Sequence, residues 1–252
     1  MDIGKSFGYV FEDKKWIEKV LIGGLVSLIP IIGSLLLIGY GVELVRNVRN
    51  HEPEPLPEWD DWGQKIIDGL KLFVILFVWA LPMVVLYSIA FIPLMLAGNS
   101  DSGSSIGGVF ATCLSCFLFL YGIVYWLAIP GITIKFAEGG EIGDGFNVGE
   151  ILDFTKKHLG QIIIVALVSW LVYLLAGLVG SFLCFVGVFF TMFWAALVQY
   201  HMIAQIGLEE APVPAAPSME PVGPVEPAPE LPEPPAPAEP AAPAEPPSPD
   251  QE

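Results

Sequence analysis

The sequence predicts an all-α integral membrane protein with about six membrane helices in three hairpins, interfacial amphipathic lead-in helices and a disordered C-terminal tail. Hydrophobic residues make up 54% of the 252 residues and charged residues only 15%, against about 25% charged in soluble domains. Several uncharged runs reach the ~20 residues that cross a bilayer core. Prolines and acidic residues concentrate in the last 44 positions. These observations also set the domains, a membrane domain over 1–208 and a tail over 209–252.

The first membrane segment is predicted to be a short hairpin over residues 16–49. Val20–Tyr40 is an uncharged run of 21 residues, but Pro30 and Gly33 lie at its middle. Proline removes a helical hydrogen bond and glycine permits a turn. The two arms hold only about 15 residues each, so a re-entrant loop and a single span remain alternatives.

Amphipathic pieces are predicted to precede each hairpin, at 3–15, 59–69 and 148–159. Apolar residues recur there at helical spacing between charges, which suits helices that lie in the membrane interface. Lys19 is expected to reach toward the headgroups, as lysines do at the ends of spans. Before the second piece, Pro53, Pro55 and Pro57 prevent a helix and predict a rigid elbow.

The later spans are predicted from the lengths of the uncharged runs. Leu72–Ala97 is an uncharged run, Gly98–Ser105 a polar turn, and Ile106–Ile134 a second run expected to end near Pro130 and Gly131. The 45 residues of 161–205 would be roughly 68 Å long as one helix. They are therefore predicted to form two spans, with the turn at Gly177, Gly180 and Ser181.

The basic residues predict the orientation. All eleven lysines and arginines fall before or at the start of the first hydrophobic stretch, in the elbow region, or in the loop after the third long run. If residues 16–49 cross an even number of times, all eleven lie on one side, which the positive-inside rule makes the cytoplasm. We therefore expect a cell-membrane protein with both termini cytoplasmic.

The tail differs from the rest of the chain. Residues 209–252 hold 16 prolines, ten acidic residues and no lysine or arginine. Such a segment buries too little apolar surface to offset its ordering entropy, so disorder with polyproline II character is expected. Its charge suits either a salty cytoplasm or a protein partner with a basic surface, and composition does not separate the two. The lack of a basic patch argues against nucleic acid.

The motifs GYGVELVRNV and EPLPEWDDWG, followed by a hydrophobic span, resemble a prokaryotic, largely archaeal, family of multi-pass membrane proteins, domain of unknown function 4013. The resemblance covers residues 7–205, and its PLPEWDDWG portion is the specific part. The family implies a multi-pass membrane protein without an assigned activity. It therefore supplies no catalytic residue.

The candidate functional residues lie in and around the elbow: Glu43, Arg46, Trp59, Asp60, Asp61 and Trp62. Glu43 is a carboxylate at the end of a hydrophobic stretch, where it either pairs with Arg46 or takes part in an ion relay. Trp59 and Trp62 are spaced to meet on one helix face. Asp60 and Asp61 suit the start of a helix.

No catalytic constellation, metal ligand set or cofactor motif is expected. Cys113 and Cys116 form a C-x-x-C inside an apolar run, where a packing role is favoured over redox or metal chemistry. The favoured function is a non-enzymatic protein that anchors or organises membrane components and presents its tail. A small transporter or permease and a lipid-interacting accessory domain are the alternatives.

Overall fold

The computed structural model describes residues 1–97, 104–183 and 186–210, and the regular structure of these residues is all helical, without a strand. Two short 3₁₀ helices, Ile142–Phe146 and Leu208–Glu210, accompany the α-helices of this part of the chain. The α-helices are α1 (Ile3–Glu12), α2 (Trp16–Val26), α3 (Ile32–Arg49), α4 (Trp62–Ala97), α5 (Ser104–Gly139), α6 (Val148–Lys157), α7 (Leu159–Phe182) and α8 (Val186–Ala204).

Four helices are long and apolar enough to cross a membrane within the described ranges. They comprise Trp62–Ile89 of α4, Cys113–Gly139 of α5, and the whole of α7 and α8. The all-helical class and the presence of candidate spans are thus confirmed. The count of six membrane helices in three hairpins stays a prediction, because α2 and α3 are not among the four.

The first hydrophobic stretch breaks where Pro30 was expected to break it. Helix α2 ends at Val26, α3 begins at Ile32, and Ile31 takes a positive φ of 64°. Gly33 lies inside α3, where a side chain would overlap the Val26 carbonyl at the end of α2. With 11 residues, α2 rises only about 16 Å, roughly half of a ~30 Å core.

The second lead-in helix is not separate, which corrects the prediction for 59–69. Helix α4 begins at Trp62 and continues for 36 residues into the candidate span. The Asp61 carboxylate accepts from the Gln64 amide at 3.1 Å and so caps the helix start. Trp59 and Asp60 therefore precede the helix. The other two lead-in pieces are confirmed as separate helices, α1 and α6.

Helix α5 runs through Pro130 to Gly139, so the predicted end near Pro130 is wrong. Proline costs one hydrogen bond, but the residues after it include the fully buried Ile132, Ile134 and Phe136. Their burial offsets that loss. The helix stops before Gly140, whose φ of +80° closes it.

The turn between α7 and α8 also comes later than predicted. Gly177, Gly180 and Ser181 lie inside α7, which ends at Phe182. Gly180 instead permits close helix packing, because a Cβ there would lie 2.5 Å from the Val188 Cα. Small residues commonly serve this purpose between membrane helices.

The closest helix crossing joins α3 to α4. A Cβ on Gly39 would overlap the Lys65 carbonyl, and one on Gly69 would overlap the Leu35 carbonyl. The two backbones therefore touch without side chains between them. Buried residues concentrate at this end of the bundle, where α4 and α7 begin and α3, α5 and α8 end.

Some predictions fall outside the described residues. These are most of the Gly98–Ser105 turn, Cys184, and the tail from residue 211 onward. Cys113 and Cys116 are described, and both are free and exposed on α5. The expected packing role is therefore not seen for either thiol within the described part of the chain.

Candidate functional site

The elbow, residues 50–61 between α3 and α4, is held by side chains from α2 and α3. Proline-rich backbone offers carbonyls with few local donors, and buried carbonyls need partners. Three consecutive carbonyls each receive one hydrogen bond. The bonds run from Asn47 Nδ2 to the Pro55 oxygen (3.1 Å), from Lys19 Nζ to the Leu56 oxygen (2.8 Å) and from the Tyr40 hydroxyl to the Pro57 oxygen (2.7 Å).

Lys19 is a buried cation beside the elbow. Its ammonium lies 2.6 Å from an Asp13 carboxylate oxygen, and these two side chains are only 4% and 6% exposed. Glu58 of the elbow approaches the same ammonium at 3.2 Å. The expectation that Lys19 reaches into the headgroups is wrong, because Asp13 and the Leu56 carbonyl satisfy it inside the protein.

Glu43 does not pair with Arg46. Its carboxylate lies 2.8 Å from the Lys65 ammonium, which is 2% exposed and also lies 3.2 Å from Asp60. The Asp61 amide, and then the Lys65 ammonium, hold the pKa of the Asp60 carboxyl below its usual range. Lys65 therefore joins the end of α3, the elbow and the first turn of α4.

Arg46 pairs instead with Asp68, at 3.4 Å, and donates to the Ala137 carbonyl at 3.1 Å. The second Asp68 oxygen accepts from the side-chain amide of Gln64, at 2.9 Å from its Nε2. Arg46 thus ties α3 to both α4 and α5. Since Glu43 is also paired, the hypothesis of a Glu43–Arg46 pair is corrected to two separate ion pairs.

The elbow tryptophans contact each other and the bundle. Trp59 stacks on Tyr40 with ring centroids 4.5 Å apart, and lies 6.1 Å from the ring of Phe193 in α8. Its indole donates to the Lys19 carbonyl at 2.9 Å. Trp62 lies 5.4 Å from Trp59 but is 40% exposed. Their predicted contact is confirmed, although Trp59 lies before the helix.

A second polar cluster joins α1 to the end of α8. Ser6 Oγ lies 2.9 Å from both His201 Nδ1 and Gln205 Nε2, and the Tyr9 ring stacks on His201 at 4.1 Å. Ser6 and His201 are 0% and 2% exposed. The polar residues at the end of α8 therefore form an interhelical hydrogen-bond cluster with α1, and it includes a Ser–His contact that sequence reasoning missed.

The ion pairs form one charged layer at the same end of the bundle as the buried core. We define this charged layer by five pairs: Lys19–Asp13, Lys65–Glu43, Arg46–Asp68, Arg49–Glu138 and Lys135–Glu150. The predicted residues Glu43, Arg46 and Asp60 belong to it or contact it. Asp61 caps α4, and Trp62 lies at its border.

The chain matches the family described as "Protein of unknown function (DUF4013)" over residues 22–185, which is more than half of its length. The chain belongs to this family. No curated protein and no solved structure matches it. The matched range of this DUF4013 protein includes the elbow, Glu43, Lys65 and the α3–α4 crossing.

The polar contacts of the DUF4013 elbow attach it to the helix bundle. Its exposed carboxylates Glu58 and Asp60 contact the buried ammonium groups of Lys19 and Lys65, and its carbonyls accept from donors of α2 and α3. The site residues that sequence reasoning missed, Lys19, Lys65 and Asp68, each meet a partner at least six positions away. No local spacing marks such pairs. The rule that buried charges are paired was the one available indication.

Proposed function

We propose that this protein is a non-enzymatic membrane protein whose bundle fixes the origin of the acidic tail on the cytoplasmic face. The supporting observation is the attachment of the chain just before the tail. Arg49 donates to the carbonyls of Ala204 and Ile206, at 3.1 and 3.2 Å. The Gly207 amide donates to Gln161 at 2.9 Å. Two other helices thus hold the segment from which the tail starts.

The absence of an enzyme activity is part of the proposal. The Ser6–His201 pair resembles part of a nucleophilic site, but both side chains are buried, and a substrate would have to reach the hydroxyl. The carboxylates of the charged layer are engaged in ion pairs with lysine and arginine side chains. An anchoring role needs neither group to be accessible.

A protein partner of the tail should present a basic surface. We expect a photo-crosslinker at Ser218 to capture one specific protein that mass spectrometry identifies. The crosslink should weaken as salt rises, because exposed charges are screened. The matched variant replaces the eight acidic residues of 211–252 with their amides at unchanged length.

That neutral-tail variant should lose the crosslink, while a truncation after Glu210 keeps the melting temperature of the bundle. An identical crosslink from the neutral tail would refute recognition by charge. Absence of any captured protein from the full chain would refute the presenting role.

In the proposed orientation the charged layer lies on the cytoplasmic side. The chain then has six membrane helices if α2 and α3 enter the bilayer as a hairpin. In a background with all native cysteines replaced, we expect a membrane-impermeant maleimide to label Leu183→Cys from outside. Asn50→Cys should react only after the membrane is opened. External labelling of Asn50→Cys would instead place the elbow outside.

A lipid-interacting accessory role is the second candidate, favoured by the apolar tip between α2 and α3. Ile29, Ile31 and Ile32 are 46%, 77% and 54% exposed there, and exposed apolar clusters contact lipid or protein. A small transporter has less support. The groove between α3, α7 and α8 has no charged lining residue among those described, and the Tyr40, Trp59 and Phe193 rings pack at one side of it.

A further inference from the structure

A groove in the membrane domain has the properties of a ligand site that the tail-presenting role does not use. Helices α3 and α7 pack on α8 from two sides, and a cavity of about 260 Å³ lies between them. Tyr173, near the middle of α7, marks one wall, and Ser34 and Gly41 of α3 mark the other. The groove therefore lies between α3 and the candidate spans α7 and α8, and no residue of the charged layer lines it.

The groove carries hydrogen-bond donors that no described residue of the protein uses. The Tyr173 hydroxyl donates to Gln199 Oε1 at 2.9 Å. The Gln199 oxygen thus accepts from Tyr173, and its NH₂ is the donor that Gln199 can offer a ligand. Neither this NH₂ nor the Tyr200 hydroxyl has a hydrogen-bond partner among the described residues. A ligand with acceptor oxygens would satisfy both groups.

The lack of charged side chains among the described lining residues restricts the class of ligand. None of the described residues that line it is charged. A phosphate or carboxylate head would be buried there without a counter-ion, which is strongly unfavourable. The ligand should therefore be neutral. This excludes the head of an anionic phospholipid.

The walls favour a flat ring. Tyr40, Tyr173, Phe193 and Tyr200 line the groove, and aromatic side chains bind other rings by offset or edge-to-face contact. The Tyr200 ring is held in place, because any side chain at Gly41 would overlap it. Tyr40 is fixed from behind by its stacking on Trp59. The rings therefore form a preorganised surface.

We propose that this groove binds the head ring of a prenylated quinone. Such a ring is flat and neutral and carries two carbonyl acceptors, which match the Gln199 NH₂ and the Tyr200 hydroxyl. Its apolar tail would extend into lipid between α3 and α7, because both helices pack against α8 and make few contacts with each other. The binding site is independent of the tail.

The experiment titrates decylubiquinone into the full-length protein in lipid nanodiscs, with empty nanodiscs as the baseline for partition into lipid. Saturable binding to the wild type is expected. Tyr200→Phe removes one hydroxyl and should weaken binding about fivefold, as expected for one hydrogen bond of about average strength. Gln199→Met should weaken it at least as much.

The matched control is Tyr121→Phe, which removes a hydroxyl that bonds the Trp79 carbonyl between α4 and α5 at 2.6 Å, away from the groove. It should leave the affinity unchanged. If Gln199→Met fails to fold, the infrared carbonyl band of bound decylubiquinone gives a second readout. That band should lie below its free position in the wild type and move back in Tyr200→Phe.

Three outcomes would overturn the proposal. The first is binding no greater than that of empty nanodiscs, and the second is equal affinity in the wild type, Tyr200→Phe and Gln199→Met. The third is saturable binding of dioleoylglycerol with no binding of decylubiquinone, which would assign the groove to a glycerolipid. The tail-dependent crosslink is unaffected by any of these results, so the two proposals fail separately.

Discussion

Lys19→Met is expected to lower the free energy of unfolding by about 3–5 kcal/mol, the usual cost of removing one partner of a buried ion pair. The substitution keeps the apolar stem but leaves the Asp13 carboxylate, 6% exposed, without its ammonium. It also leaves the Leu56 carbonyl of the elbow without its donor. Chemical denaturation in a mild detergent, followed by tryptophan fluorescence, measures the change.

The double variant Lys19→Met/Asp13→Asn is the control. Asparagine keeps the acceptor for the Lys15 amide and removes the buried charge, so the double variant should be more stable than Lys19→Met alone. A double variant that is as unstable as the sum of both single changes would mean that the two side chains act independently.

The loss of stability in Lys19→Met should depend on pH, and the direction of this dependence follows from the pKa of Asp13. Burial alone would raise the pKa of the Asp13 carboxyl, but the Lys19 ammonium and the Lys15 amide outweigh it, and the pKa lies below its ordinary value. A carboxyl lowered in this way stabilises the fold above its unfolded pKa of about 3.9 and loses that contribution as pH falls through the folded pKa. The stability difference between the wild type and Lys19→Met should therefore narrow on acidification.

Gly39→Ala should cost about 3 kcal/mol and lower the melting temperature by roughly 10 °C. Its Cβ would overlap the Lys65 backbone carbonyl, so a helix has to move, since no side chain is available to yield. Differential scanning fluorimetry in detergent measures the shift.

Gly122→Ala is the matched change in α5. Its Cβ would meet only Met83 Sδ at 3.8 Å, which is ordinary contact. Alanine also favours a helix over glycine by up to about 1 kcal/mol, so this variant should keep or raise the melting temperature. Equal behaviour of the two variants would show that α3 and α4 do not meet at Gly39.

Length and breaker residues predicted the helices well. The break near Pro30 and the division of 161–205 into two helices follow from chain length against bilayer thickness, and both are observed. The positions of the turns were less predictable. Gly180 looks like a turn residue, but it permits the approach of α8. Sequence alone does not separate these two uses of glycine.

The partners of the charged residues were not predictable from local spacing. Arg46 lies three positions from Glu43, which favours a pair on one helix, but the α3–α4 crossing brings Lys65 to Glu43. The crossing depends on Gly39 and Gly69, thirty positions apart. Lys19 was interpreted by its place near the end of a hydrophobic run, whereas its environment is set by Leu56 and Asp13.

The shortness of the α2–α3 pair has a consequence for the lipid around it. From the charged layer, α2 descends about 16 Å before the turn, and the stretch of α3 from Ile32 to Glu43 climbs back over a similar length. If the pair enters the bilayer as proposed, it displaces lipid from one leaflet, and the opposite leaflet below the Ile31 tip stays filled. A protein that takes up area in one leaflet only acts as a wedge, and membranes crowded with it should bend away from the flat state.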